Sequence, residues 1–126
     1  MARYLNNPDS RSFTNGTGAK LNNGDLVQLP DGMAGLVEGL AGVANGATGK
    51  ARTTGHIQIT KANPATDIAA GTRIQVATAT QLATPKASGA ADSGNFLVGR
   101  AVVAAGNGVV SVTVDLNGQG PTTAGA

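Results

Sequence analysis

The stretch that decides the fold is GNFLVGRAVVAAGNGVVSVTVDLNG, residues 94–118. Two runs rich in β-branched residues flank Gly106-Asn107-Gly108, and Asn-Gly supplies the positive φ angles of a tight hairpin turn. The second run alternates apolar and polar residues, as a strand with one buried face does, with apolar positions at Val110, Val112, Val114 and Leu116. This stretch therefore predicts a closing C-terminal β-hairpin that carries no catalytic chemistry.

The same signals recur along the rest of the chain. Four more Asn-Gly pairs begin at Asn15, Asn23, Asn45 and Asn117. Short β-type runs lie at 26–29, 33–40, 55–61 and 73–78. Many short strands without long helical patterns between them predict an all-β fold, a compact small β-barrel or β-sandwich.

Two segments raise the alternative of a helix. Leu36, Leu40 and Val43 have helical spacing, but the glycines at 35, 39 and 42 each cost about 0.8–1 kcal/mol in a helix. Residues 64–70 are compatible with one short helical turn, because proline is tolerated in a first turn and Gly71 would end it.

The composition indicates one domain with a thin core. The chain has 126 residues, with 19 glycines, 22 alanines, and only Tyr4, Phe13 and Phe96 as aromatics. Such a protomer buries little apolar area to offset the entropy that its chain loses on folding. This favours association with other chains, and the alternative is a monomer of ordinary stability. We expect a polar N-terminal arm over 1–24 with one short strand around Ser12-Phe13-Thr14, a β-domain over 25–118 and a flexible tail over 119–126.

The charge and the cysteine count exclude several classes of protein. Nine basic and seven acidic residues give a net charge of +2, and no run of like charges offers a tail for nucleic acid. Without cysteine there is no disulfide or thiolate metal site. No apolar run has signal-peptide or membrane-spanning character, so we expect synthesis in the cytosol and no membrane partner.

The search for a site yields no catalytic constellation. Gly49-Lys50 fails as a phosphate-binding loop, because Ala44 and Ala51 stand where that motif needs Gly and Ser or Thr. His56, the single histidine, falls on the polar face of a predicted strand. Asp25 and Asp31 sit at turns, where Asp caps its own backbone.

These observations predict a protein that is not an enzyme and has no cofactor, metal or small-molecule substrate. The sequon Asn15-Gly16-Thr17 is read as a coincidence of composition.

Taken in order, six stretches make the chain resemble a known family. They are residues 24–29, 39–44 with Gly49 and Lys50, 55–61, 68–74, 94–102 and 110–118. Over about residues 10–118 the chain resembles the small capsid decoration, or head-stabilising, proteins of tailed bacteriophages. It departs from them in its longer, Asn-rich N-terminal stretch and in an insertion over 87–93.

The resemblance implies a virion structural protein. Its members are expected to bind the major capsid protein on the outer surface of the head, as homotrimers, after synthesis in the host cytoplasm, and to cement the shell without catalysis. Two alternatives stay open: a head-fibre base or glycan- or receptor-binding module on the virion, and a small hydrolase.

The residue types of the arm make it the candidate for attachment. Arginine and aromatic residues are enriched at interface hot spots, and the candidate capsid contacts are Arg3, Tyr4 and Arg11. Phe13 belongs either to this set or to the core of the protomer. A polar arm of this kind is expected to become ordered on its partner.

Overall fold

A computed structural model describes residues 10–118, which fold as nine strands without a helix in this range. The strands are β1 (Ser10–Thr14), β2 (Leu26–Gln28), β3 (Ala34–Glu38), β4 (Thr48–Arg52), β5 (His56–Thr60), β6 (Arg73–Ala77), β7 (Ala83–Pro85), β8 (Asn95–Ala101) and β9 (Ser111–Leu116). Over the described range no helix is long and apolar enough to cross a membrane.

The strands form two antiparallel sheets. The first has the order β1-β4-β3-β2 and the second the order β5-β9-β8-β6-β7. The all-β prediction is confirmed, and the sheets do not close into a barrel.

The larger core lies where the two sheets meet. Strands of the second sheet turn every other residue inward, and the fully buried members include Ile74, Val76, Val112 and Val114. Leu26 and Ala34 of the first sheet belong to the same cluster.

A second, smaller core covers the opposite face of the first sheet. Phe13 of β1, Val27 of β2 and Val37 of β3 pack there under the loop that carries Val43. Because successive residues of a strand point to opposite faces, Ala34 and Val37 of β3 enter different cores. The first sheet is therefore buried on both faces.

The closing hairpin differs from its prediction. β8 and β9 pair antiparallel, but only Gly99–Ala101 opposite Val114–Leu116, and residues 102–110 form a loop instead of a tight turn. Of its central Asn-Gly pair only Gly108 has a positive φ, +92°. The reason is tertiary, because Ser111–Asp115 of β9 pair with β5 while Ala105 pairs with Ile68.

Two strands were not predicted, and residues 64–70 contain no helix. β4 contains the Gly49-Lys50 pair and β7 is only three residues long, so neither shows a β-type run. A Cβ atom at Gly49 would collide with Val43, so glycine is needed there for close packing of the loop.

Two side-chain amides join the sheets. Asn117 and Gln81 are the non-glycine residues of the described range with positive φ, at 57° and 61°. The Asn117 side-chain amide accepts from the Ala34 N–H and donates to the Ala34 carbonyl, both at 2.8 Å. A backbone residue of a neighbouring strand would make the same pair of hydrogen bonds. Gln81 forms the same pair with Leu26, at 2.6 and 3.0 Å. Each amide thus connects the second sheet to a strand of the first.

Candidate interaction surface

The predicted contact residues are only partly within the described range. Arg3 and Tyr4 lie outside it. Arg11 lies on β1 at the edge of the first sheet, and its guanidinium donates to the carboxylate of Asp31. Both side chains remain over 40% exposed, so the pair stabilises the fold weakly and Arg11 is accessible to a partner.

Arg11 changes the pKa of Asp31. Its hydrogen bond, with a second from the Met33 N–H, lowers the pKa of the Asp31 carboxyl below its usual value. The turn-capping interpretation of the two aspartates is confirmed, because Asp25 accepts from the Asn22 N–H at 2.8 Å and Asp31 from the Met33 N–H at 3.1 Å.

Phe13 belongs to the core of the protomer. Its side chain is 8% exposed in the smaller core, one residue from the exposed Thr14 on the same strand. This decides between the two roles that the sequence left open. Within the predicted arm, Ser10–Thr14 form strand β1 at the edge of the first sheet, in agreement with the short strand predicted there. Within the described residues, the backbone edge of β1 that faces away from β4 has no strand partner.

The sequon asparagine is also structural. Asn15 is 1% exposed, and its Nδ2 donates to the carbonyls of Ala19 at 2.8 Å and Val43 at 2.9 Å. Its Oδ1 accepts from the backbone and hydroxyl of Thr17 at 3.0 and 2.7 Å. All hydrogen-bonding groups of this amide are used inside the fold.

Three open grooves lie on the described surface. One, of about 550 Å³, lies between β2 and the β6–β7 turn, and a second, of about 470 Å³, lies beside Asn117. A third, of about 340 Å³, contains His56, Arg100 and Asp115. Within residues 10–118 no three His, Asp or Glu side chains are grouped as metal ligands.

The insertion over 87–93 is tied to β6 by its own polar contacts. Asp92 accepts from Lys86 Nζ and from Gln75 Nε2, each at 2.8 Å, and its N–H donates to Gln75 Oε1 at 2.9 Å. Arg73 also donates to the carbonyl of Gly89. The Lys86 hydrogen bond, then that of Gln75, lowers the pKa of the Asp92 carboxyl.

An exposed apolar loop was missed by the sequence prediction. Five large hydrophobic residues are exposed within residues 10–118: Leu40 and, on the β8–β9 loop, Val102, Val103, Val109 and Val110. Val110 had been predicted inward on β9 and is 62% exposed instead. We call residues 102–110 the valine loop. The loop contains no ionisable residue, but residues 39–49 and 74–85 also contain none, so this property alone did not distinguish it in the sequence.

Comparison with known families gives the decisive observation. A family model described as phage cement protein matches residues 6–116. The chain belongs to the phage cement protein family. The resemblance found in the sequence is confirmed. No curated protein and no solved structure gives a significant match.

The phage cement family match covers the whole two-sheet domain. The matched range includes all nine strands, so the two-sheet domain is the family's domain in this chain. The family is a structural one, named for stabilising the phage capsid, and it is not an enzyme family. Arg11 and the valine loop are both exposed on the described part of this domain.

Proposed function

We propose that this phage cement protein binds the major capsid protein on the outer surface of a bacteriophage head and stabilises the assembled shell. The observation that carries the proposal is the family match over residues 6–116. The exposed guanidinium of Arg11 on an edge strand supports it, because such a side chain is accessible to a partner.

The stabilisation follows from mass action. A protein that binds the assembled shell better than its dissociated subunits lowers the free energy of the shell by RT ln(1 + [L]/Kd) per site. At a concentration of 100 Kd this is about 2.7 kcal/mol per site, repeated over the whole surface. No covalent step is needed.

The N-terminal arm supplies the attachment in this proposal. Residues 1–9 lead directly into β1, so a contact made by Arg3 or Tyr4 is anchored in the first sheet through the five pairs of β1 with β4. Arg11 lies on that strand and exchanges a weak surface ion pair for a contact with the partner.

The copies act as homotrimers, synthesised in the host cytoplasm before they join the head. A small core rich in alanine and glycine favours association, and three linked arms bind at high effective concentration. In this role the protein has no nucleic-acid or membrane partner and no catalytic activity.

The test uses heads that lack this protein. The full chain, a variant without residues 2–9 and a control without residues 119–126 are each added to such heads and co-sedimented. We expect the full chain and the control to bind and to raise the melting temperature of the shell, and the first deletion to bind more weakly with an unchanged circular dichroism spectrum. Failure of the full chain to sediment with heads would refute capsid binding, and equal binding by both deletions would refute the role of the arm.

A further inference from the structure

The valine loop exposes four apolar side chains within a short stretch of chain. Its four valines are between 37% and 62% exposed and together expose about as much surface as two fully exposed valines. They lie within nine consecutive residues, whereas the fifth exposed large hydrophobic residue, Leu40, lies alone on the turn between β3 and β4.

The valine loop is held rigidly from beneath by a buried lysine. Lys61 is 3% exposed, and its ammonium group donates to the carbonyls of Pro64, Ala105 and Gly106 at 3.1, 3.2 and 3.0 Å. These three acceptors match the three donors of an ammonium group.

Backbone bonds complete the support. The Gly108 N–H donates to the Pro64 carbonyl at 2.8 Å, and Ile68 and Ala105 exchange both backbone hydrogen bonds at 3.0 and 2.8 Å. A loop fixed in this way loses little conformational entropy when a partner covers it.

From this geometry we infer that the valine loop is a second contact with the capsid shell, made against an apolar and uncharged patch of the shell protein. The inference rests on the proposed function. No ionisable residue lies in 102–110, and the lysine beneath it faces inward, so the loop has no charge to pair across an interface.

The size of the patch favours the shell over a second copy of the chain. A stable interface takes about 800 Å² from each partner. A buried aromatic side chain, which is larger than valine, covers only about 150–250 Å². The four partly exposed valines together present the surface of about two whole valines, which is well under half of the area that a stable interface takes from one partner. On its own the loop is therefore too small to hold two free copies together, so it is not the contact that forms the proposed trimer. It adds instead to the contact that the N-terminal arm makes with the shell.

The test compares two substitutions of exposed apolar residues. Val103 and Val110 are the most exposed valines of the loop, at 57% and 62%, and Leu40, at 97%, is the matched control. The double variant Val103→Ser with Val110→Ser and the single variant Leu40→Ser are titrated onto heads that lack the protein. Sedimentation velocity gives the mass of each free protein, and thermal denaturation shows that each is folded.

We expect the double variant to bind heads at least 10-fold more weakly, Leu40→Ser to bind as the unaltered protein does, and all three to have the same free mass. Binding by the double variant equal to that of the unaltered protein overturns the inference alone. A lower free mass of the double variant also overturns it, since a second copy would then cover the loop. If the unaltered protein does not bind heads, the proposed function fails and the inference fails with it.

Discussion

Replacing Asn117 by alanine tests whether a side-chain amide joins the two sheets. Asn117→Ala removes three hydrogen bonds of 2.8 Å, two with Ala34 and one with the Thr53 carbonyl. At about 1 kcal/mol each, their loss lowers the free energy of unfolding by about 3 kcal/mol. Alanine at a φ of 57° adds about 1 kcal/mol of backbone strain. The expected total of about 4 kcal/mol is a large part of the 5–15 kcal/mol typical of a domain.

The assay is urea denaturation followed by circular dichroism, with two further variants as controls. Asn117→Gly loses the same hydrogen bonds but tolerates the positive φ, so we expect about 3 kcal/mol, and its difference from alanine isolates the strain. Gln58→Ala, at an exposed position of β5, is expected to stay within about 0.5 kcal/mol of the unaltered protein. A loss below about 1 kcal/mol for Asn117→Ala would refute the structural role of the amide.

Three further predictions concern packing, a buried cation and acid stability. Gly49→Ala should lower the free energy of unfolding by about 1–3 kcal/mol, because its Cβ displaces Val43; an unchanged urea midpoint would contradict this. Lys61→Met removes three hydrogen bonds to carbonyls that each keep one backbone donor, so we expect the free energy of unfolding to fall by about 3 kcal/mol and amide exchange in the valine loop to become faster; unchanged exchange would contradict the support of the loop by Lys61. Lys86→Met should raise the pKa of Asp92 in an NMR titration, and an unchanged pKa would contradict the ion pair. Because folding lowers the pKa of Asp92, the ionised carboxyl stabilises the fold above about pH 4, and this stabilisation is lost as the pH falls through the pKa of the folded state. The stability of the unaltered protein should therefore fall more steeply with pH than that of the variant.

The candidate surface was predictable in part. Residue type alone singled out Arg11, and the structure places it exposed on a sheet edge. The valine loop was missed because a run of valines shows the same local pattern whether a neighbouring strand covers it or not. Its exposure depends on where β9 finds its partner, and that partner lies about fifty residues earlier in the chain.

The sequence by itself determined the all-β class and much of the inner face of the second sheet. Alternation with period two placed Val112, Val114 and Leu116 inward, since it follows from the geometry of a single strand. Only the tertiary structure decided that β9 pairs with β5 over five of its six residues, and that β4 and β7 are strands. It also decided that the side chains of Asn117 and Gln81 bond to strands of the other sheet. Strand pairing depends on contacts between residues far apart in the chain, and neither periodicity nor turn composition specifies which two edges meet.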